Sequence, residues 1–132
     1  MAFSEITDAT RSRIDADLAE AAGRGINGDV DAIAATFEEL LTEYLALDAD
    51  LRRSYPRGET ARIVGTALGE ALVRDHGFAW SMLSDDYGTD LVVARGTGTA
   101  DEKYTAPLVV VDSRFEDDEP GKLTTFLTQF LT

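Results

Sequence analysis

The chain has 132 residues, 44% of them hydrophobic and none of them cysteine. This composition predicts a single domain over residues 1–132, and it excludes disulfides, thiolate metal sites and cysteine nucleophiles. The 25 acidic and 12 basic residues give a formal net charge of −13, which argues against nucleic acid and membrane surfaces as partners. With no signal-peptide pattern and no long apolar run, the cysteine-free sequence predicts a soluble, cytoplasmic protein.

Two amphipathic helices joined by a turn are predicted at the start of the chain. Apolar residues recur at helical spacing between about residues 4 and 22, and the glycine-rich segment 23–28 ends this helix. A second helix with a clean apolar stripe is predicted over 30–47, with Asp29 or Asp31 as its N-cap. Two such helices with a short connection should pack as an antiparallel hairpin.

A third helix is predicted in the middle of the chain, after a charged connector over 48–60 that contains a proline. From 61 to 73 this helix is apolar almost all round, which indicates that it is buried. Gly65 and Gly69 lie four residues apart on one face, where missing side chains let another backbone come close. We therefore expect this helix to pack closely on a sheet.

Three strands are predicted after this helix. Residues 78–83 show the period-two alternation of a strand, and 91–95 form the return strand of a hairpin across a turn at 84–88. The third strand is predicted over 104–115. Its apolar run at 108–111 is unbroken and mostly β-branched, which is typical of a strand covered on both faces.

A last helix is predicted from Pro120 onward, where the missing proline N–H costs nothing and the apolar residues fall on one face. The predicted order of elements is α-α-α-β-β-β-α. Helices followed by a run of strands favour an α+β domain. It would consist of an N-terminal helical hairpin, a buried third helix, a three-stranded antiparallel meander and a C-terminal helix.

His76 is the only histidine, and its sequence context does not indicate a catalytic group. A hydrolase triad with Ser81 and Asp85 or Asp86 would need a nucleophile elbow, and the sequence has no G-x-S-x-G motif. The position of His76 just before Gly77 at a helix end instead favours an interaction with the negative end of the helix dipole. No catalytic residue and no cofactor are predicted.

Three other residues are the candidates for a binding site. Glu70 is the one carboxylate in the apolar helix, and a buried carboxylate is suited to acid–base work. Its simpler interpretation is an ion pair with Arg74, four residues on. Trp80 is expected in the core with a partner for its indole N–H, and the alternative is an anchor for another protein. Arg114 is expected to form a surface ion pair rather than to bind an anion.

Two acidic segments and a glycine-rich loop suggest ion binding at first sight, but each has a simpler interpretation. Residues 85–86 and 116–119 supply carboxylates without the spacing of an EF-hand loop, so solvated turns are expected and no metal site is predicted. The segment 96–99 alternates glycine and threonine but lacks a following lysine and leads into a strand. A flexible hairpin loop is therefore expected there rather than a phosphate cradle.

Part of the chain carries the marks of a known family. These marks are a leucine-glycine-glutamate step in the third helix, a tryptophan that opens the sheet, and a proline before an apolar strand that ends in arginine: Leu68-Gly69-Glu70, Trp80, and Pro107 to Arg114. Over roughly residues 60–130 the chain resembles the bacterial DUF3806 family of unknown function. The resemblance implies an α+β fold, and it implies no activity and no catalytic residue.

Three functions remain open, and the balance is against an enzyme. The first is a non-enzymatic interaction module, immunity-like or adaptor-like, that binds a basic protein; the acidic charge, the small size and the lack of a catalytic constellation favour it. The second is a small-molecule-binding or enzymatic domain whose pocket uses Glu70, Trp80 and Arg114, provided that these residues converge in a concave site. A secretion-chaperone-like homodimer is the third.

Overall fold

The computed structural model describes all 132 residues, from Met1 to Thr132. They form an α+β fold with six helices and one four-stranded antiparallel sheet, which confirms the predicted class. In chain order the elements are β1 (Ala2–Ser4), α1 (Asp8–Gly23), α2 (Val30–Leu45), α3 (Ala49–Ser54), α4 (Arg57–His76), β2 (Ala79–Asp85), β3 (Gly88–Arg95), β4 (Lys103–Thr105), α5 (Pro107–Arg114) and α6 (Lys122–Phe130). This order differs from the predicted α-α-α-β-β-β-α by the additional β1 and α3, and by a helix, α5, in place of most of the third strand.

The first two helices start where a side chain accepts a hydrogen bond from the first turn. Thr7 Oγ1 accepts from the backbone N of Thr10 at 3.1 Å, so α1 begins at Asp8 and later than predicted. Asp29 Oδ1 accepts from the backbone N of Ala32 at 2.8 Å. This bond shows that Asp29, and not Asp31, is the N-cap of α2.

The predicted connector before α4 contains the short helix α3. Asp48 Oδ1 accepts from the backbone N of Leu51 at 2.9 Å and caps this helix. The helix stops because Tyr55 precedes a proline and is extended, with φ −68° and ψ 132°. A helix of six residues has too few apolar positions to show a periodicity, so the sequence pattern does not reveal it.

α4 is the buried centre of the fold, as its apolar composition predicts, but its two inward glycines face different partners. A methyl group at Gly65 would lie 2.6 Å from Cα of Leu108 in α5. A methyl group at Gly69 would overlap the indole ring of Trp80 in β2. The expected close packing on a sheet therefore holds for Gly69, and Gly65 instead admits a second helix.

The predicted third strand over 104–115 is wrong for most of its length. β4 ends at Thr105, and Pro107 occupies the first turn of α5, where a proline loses no hydrogen bond. Pro107 and Val111, four residues apart, are both buried, whereas Val109 is 54% exposed. This is the burial pattern of a helix. Docking on the glycine face of α4 outweighs the weak preference of valine for strands.

The sheet has the strand order β1-β2-β3-β4, and all neighbouring strands are antiparallel. The β2–β3 hairpin is the one predicted, with Trp80 opposite Val93 on the face that packs against the helices. β1 adds an edge strand, in which Phe3 pairs with Leu83. Three residues are too few to show an alternation of polar and apolar side chains, so β1 has no signal in the sequence.

α6 begins at Lys122, shortly after the predicted start at Pro120. Its N-terminus is capped from α2, because Glu38 Oε2 accepts from the backbone N and from Oγ1 of Thr124, at 3.4 and 3.0 Å. The carboxylate satisfies a backbone N–H that has no partner inside α6, and it lies at the positive end of that helix. The position of α6 is thereby tied to α2.

One core of 22 buried residues lies between the helices and the sheet face that carries Trp80 and Val93. α1 and α2 both contribute to it and pack on α4, so the N-terminal helices cover the fold instead of projecting from it. No helix combines the length and the apolar composition needed to cross a bilayer.

Candidate functional site

Glu70 and Trp80, two of the three candidate residues, are in direct contact. Trp80 Nε1 donates to Glu70 Oε2 at 2.9 Å, and Trp80 is only 8% exposed. The indole ring fits against α4 because Gly69 has no side chain at that point. A buried indole N–H needs an acceptor, so this bond accounts for a carboxylate within an otherwise apolar helix.

The ion pair expected between Glu70 and Arg74 does not form. The Arg74 guanidinium donates instead to the carbonyl of Gly28 at 2.7 Å and to the two carboxylate oxygens of Asp75 at 3.1 and 3.0 Å. The hydrogen bond from Arg74 lowers the pKa of Asp75, and the same bond raises the pKa of Arg74. Arg74 thus connects the end of α4 to the turn between α1 and α2.

Arg114 lies far from the other two candidates. Its Nε is 3.3 Å from Asp117 Oδ2, so the expected ion pair forms, but it is largely buried, with side chains 27% and 10% exposed. In the same region Arg57, the first residue of α4, donates to Asp112 Oδ1 at 3.2 Å. Glu70 lies more than three turns further along α4, about 20 Å away at 1.5 Å per residue. The three candidates therefore do not converge.

Two small clefts border Trp80 but include neither Glu70 nor Arg114. One, of about 270 Å³, lies between the end of β1 and the start of β2. The other, of about 360 Å³, lies between Trp80, Val73 and Arg11 of α1. A ligand of Trp80 would therefore approach from the side of β1 and α1.

The largest cavity, about 630 Å³, lies at the C-terminal end of α4, and we call it the His76 cavity. Its lining comes from the start of α2 and from the ends of α4 and α6: Asp29, Val30, Asp31, Asp75, His76, Leu127, Thr128 and Leu131. Three carboxylates therefore share this cavity with the only histidine. The start of α2 brings the positive end of a helix dipole to this cavity, and the C-terminal carbonyls of α4 and α6 are bound by Arg95 and Lys103.

These carboxylates differ in their partners. Asp75 pairs with Arg74, whereas Asp31 forms neither an ion pair nor a side-chain hydrogen bond. Arg95 is directed to the end of α4, where its Nη1 donates to the backbone carbonyl of His76 at 2.8 Å. The His76 cavity is therefore an acidic surface with one adjacent ion pair.

Ser81 and Asp85, which a triad with His76 would require, are engaged elsewhere. The Ser81 hydroxyl donates to the carbonyl of Ser4 at 2.9 Å, across the β1–β2 pair. Asp85 Oδ1 accepts from the backbone N of Tyr87 at 2.8 Å and stabilises the hairpin turn. No group of three or more histidine, aspartate or glutamate side chains is arranged to hold a metal ion.

The glycine-threonine loop between β3 and β4 is closed by its own hydrogen bonds. The backbone N of Gly98 donates to Glu102 Oε1 at 2.9 Å, and Thr99 Oγ1 donates to the carbonyl of Gly96 at 2.6 Å. The carboxylate of Glu102 therefore already binds a backbone N–H that a phosphate-binding loop would leave free for its ligand. The loop therefore connects β3 and β4 as a hairpin, which confirms that part of the prediction.

A family model described as a domain of unknown function (DUF3806) matches residues 51–126, which run from α3 into α6 and make up more than half of the chain. The chain belongs to the DUF3806 family. The matched part includes the glycine face of α4, the α5 helix that docks on it, and all three candidate residues. No curated protein and no solved structure gives a significant match to the chain.

Only part of the His76 cavity of this DUF3806 domain is lined by residues that the family model matches. Asp75 and His76 lie inside the matched residues, whereas Asp29, Asp31 and the lining of α6 from Leu127 onward lie outside. Sequence reasoning missed this cavity because its residues come from three distant segments. The excess of acidic residues is the one signal in the sequence that agrees with it.

Proposed function

We propose that this DUF3806 domain is a non-enzymatic cytoplasmic interaction module, of the immunity or adaptor kind, that binds a basic protein at the His76 cavity. The observation that carries the proposal is the gathering of Asp29, Asp31 and Asp75 around the largest cavity of the fold. A net charge of −13 would also attract a basic partner before contact and speed its association.

The lining of the His76 cavity suits a lysine or arginine side chain. Val30 and Leu127 supply apolar surface on which an aliphatic stem can lie. Asp31 and Asp75 supply carboxylates for the charged head, and such charge-assisted hydrogen bonds are the stronger kind.

The contacts of the sequence candidates are the reason for placing the function here and not at Glu70. Glu70 accepts from the Trp80 indole, and Arg114 pairs with Asp117, so both charges have structural partners. Asp31 forms no ion pair and no side-chain hydrogen bond, it lines the largest cavity, and its charge is stabilised only by its position in the first turn of α2. A carboxylate without a side-chain partner is the better candidate for binding another molecule.

A small-molecule-binding or enzymatic role near Trp80 is the second candidate. The two clefts beside Trp80 and the carboxylate of Glu70 bonded to its indole favour it. Such a site would be formed without Arg114, which lies at the opposite end of α4. A secretion-chaperone-like homodimer is the third candidate, and the solution mass decides it.

The test is purification of the tagged full chain from its native cells at low and at high salt, with mass spectrometry of co-eluting proteins and light scattering. Two double variants with the same change in charge are compared. Asp31→Asn with Asp75→Asn alters the His76 cavity, and Asp86→Asn with Asp90→Asn alters the β2–β3 hairpin. At low salt we expect a basic partner to co-elute in stoichiometric amount with the unmodified chain. The amount retained should fall about tenfold in the cavity variant, and also at high salt, but not in the hairpin variant.

Equal losses with the two double variants would mean general charge attraction and would contradict a site at the His76 cavity. A clean monomer without a partner would also contradict the proposal and would move the search to metabolites that bind beside Trp80. A clean dimer would favour the chaperone-like alternative.

A further inference from the structure

The imidazole of His76 lines the largest cavity without a partner of its own. It is half-buried, and it forms neither an ion pair nor a side-chain hydrogen bond. Histidine is the side chain that ordinarily changes its charge between about pH 5 and pH 8, and His76 is the only histidine of the chain. A change of pH in this range can therefore alter the charge of the cavity at one ring.

The backbone at His76 is fixed from two sides. Arg95 Nη1 in β3 donates to the carbonyl of His76 at 2.8 Å. Gly77, in the left-handed region at φ 74°, ends α4 directly after it, with its N–H on the carbonyl of Leu72. These contacts involve only the backbone, so both ring nitrogens of His76 have no partner in the protein.

The charged groups around the cavity come from every element that packs there except α6, whose lining residues are uncharged. They are Asp29 before α2, Asp31 in α2, Arg74 and Asp75 in α4, Arg95 in β3 and Lys103 in β4. The three cations among them are already bound by Asp75 and by backbone carbonyls. Aspartate, arginine and lysine side chains ordinarily keep their charge between about pH 5.5 and pH 7.5. Within this range, pH therefore acts on the cavity through His76.

The charge of His76 acts on a carboxylate of the cavity. The hydrogen bond from Arg74 is the main cause that lowers the pKa of Asp75, and the charge of His76 lowers it further. A protonated His76 would likewise repel a lysine or arginine head that binds beside Asp31 and Asp75, since like charges at short range raise the free energy of the complex.

We propose that neutral His76 accepts a hydrogen bond from the lysine or arginine head that binds in the His76 cavity, and that protonation of His76 releases this head. This role rests on the proposed function of the cavity. A neutral imidazole has one nitrogen that accepts, whereas the protonated ring only donates and has a charge of the same sign as the head. Protonation therefore removes an attractive contact and adds a repulsive one. A basic partner binds tightly at neutral pH and weakly at acidic pH.

The test is a titration of the untagged full chain with a tri-arginine peptide, capped at both ends so that the peptide itself does not titrate. The ring-proton resonance of His76 is followed by NMR, because a chain with one histidine gives one such signal. With a coupling of about tenfold between protonation and binding, we expect the affinity to be about fivefold higher at about pH 7.5 than at about pH 5.5. By reciprocity, a saturating amount of peptide should move the midpoint of the His76 titration about one pH unit lower.

Two variants of His76 separate its hydrogen bond from its charge. His76→Gln keeps a neutral acceptor and should bind at both pH values as the unmodified chain binds at about pH 7.5. His76→Arg has a permanent charge and should bind about tenfold more weakly at both pH values. The double variant Asp31→Asn with Asp75→Asn should bind weakly throughout, and Asp86→Asn with Asp90→Asn should behave as the unmodified chain. Thermal unfolding of each variant reports whether the fold is intact.

The outcomes distinguish the role of His76 from the site itself. Binding that the cavity variant weakens but that has the same affinity at the two pH values would overturn the role of His76 and leave the proposed function intact. An equal pH dependence in His76→Gln, or undiminished binding in His76→Arg, would do the same. Absence of binding, or binding that the cavity variant does not weaken, would overturn the proposed site and this role together.

Discussion

The two ends of α4 use similar residue types in opposite ways. At its N-terminal end, arginines are matched to carboxylates: Arg57 to Asp112 and Glu116, and Arg114 to Asp117. At its C-terminal end, three aspartates line an open cavity: Asp75 pairs with Arg74, Asp29 caps α2, and Asp31 has no side-chain partner. The carboxylates at the two ends are therefore unevenly paired. One end of α4 holds elements together by ion pairs, and the other has a carboxylate, Asp31, without a counter-charge.

The dipole of α4 explains part of this difference. Carboxylates at the N-terminal end of a helix are stabilising, which suits Asp112 and Glu116 beside Arg57. Carboxylates at a C-terminal end are repelled by the helix dipole, and at Asp75 the hydrogen bonds from Arg74 outweigh this repulsion, because they lower its pKa. Asp75 is therefore held by a partner on its own helix.

Gly65→Ala should have the largest effect on this comparison, because it separates α5 from α4. The added methyl group would lie 2.6 Å from Cα and 2.9 Å from N of Leu108, which are backbone atoms that cannot rotate away. We expect a loss of about 3 kcal/mol in the free energy of unfolding, measured by urea denaturation. Gly58→Ala is the matched control, since nothing lies near its added methyl group. It should gain about 0.5 kcal/mol, and equal losses would refute close packing at Gly65.

Arg114→Gln should have the next largest effect, because it leaves the buried carboxylate of Asp117 without a counter-charge. We expect a loss of about 2 kcal/mol in the free energy of unfolding. Arg53→Gln is the control. Arg53 also pairs with an aspartate, Asp50, but it is 74% exposed, and exposed pairs contribute less than about 1 kcal/mol. Similar losses for both variants would show that burial of the Arg114–Asp117 pair does not increase its contribution to stability.

Glu38→Ala should have a smaller effect and should act on the wall of the His76 cavity. It removes the acceptor of Thr124 at the start of α6, and losing an N-cap costs about 1 kcal/mol. Hydrogen exchange of the α6 amides should become faster before global unfolding. Glu39→Ala, at the exposed neighbouring position, should change neither quantity. Unchanged exchange in Glu38→Ala would mean that α6 is held by its apolar face alone.

The smallest effect should be a dependence of stability on pH at Asp75. The hydrogen bond from Arg74 lowers the pKa of Asp75 below its ordinary value of 3.8, so the folded state favours the ionised form. This contribution is complete above the unfolded-state pKa and is lost as the pH falls through the folded-state pKa. Asp75→Asn should therefore flatten the acid limb of the stability curve. Asp31→Asn, which removes no ion pair, is the control variant.

Local patterns were sufficient for the elements whose signals lie within one segment. α2 has a full apolar stripe and an aspartate cap, and the β2–β3 hairpin has alternation on both sides of a polar turn. Gly77 ends α4 in the left-handed region, at φ 74°, with its N–H on the carbonyl of Leu72. In each case the physical cause, a repeating burial pattern or a turn residue, can be read within a few residues.

The errors occurred where burial in the folded chain decides the backbone. The run 108–111 is β-branched and indicates a strand, yet it is helical because α4 offers a surface without side chains. The Glu70–Arg74 pair has ideal helical spacing, yet the buried indole of Trp80 takes the carboxylate. Arg114 was expected at the surface, and its pair with Asp117 is mostly buried. Local propensity and helical spacing contribute less to the free energy of folding than the burial of a large aromatic ring or of a whole helix face.

Composition and local periodicity are sufficient to predict the α+β class, the buried helix with Gly65 and Gly69, the central hairpin and the acidic charge. The hydrogen bond of Trp80 to Glu70 and the pair of Arg114 with Asp117 depend on how the elements pack. The same packing brings Asp29, Asp31 and Asp75 to the largest cavity. Residues so far apart in the chain meet only when α2, α4 and α6 pack on one core, and no spacing along the sequence records that packing.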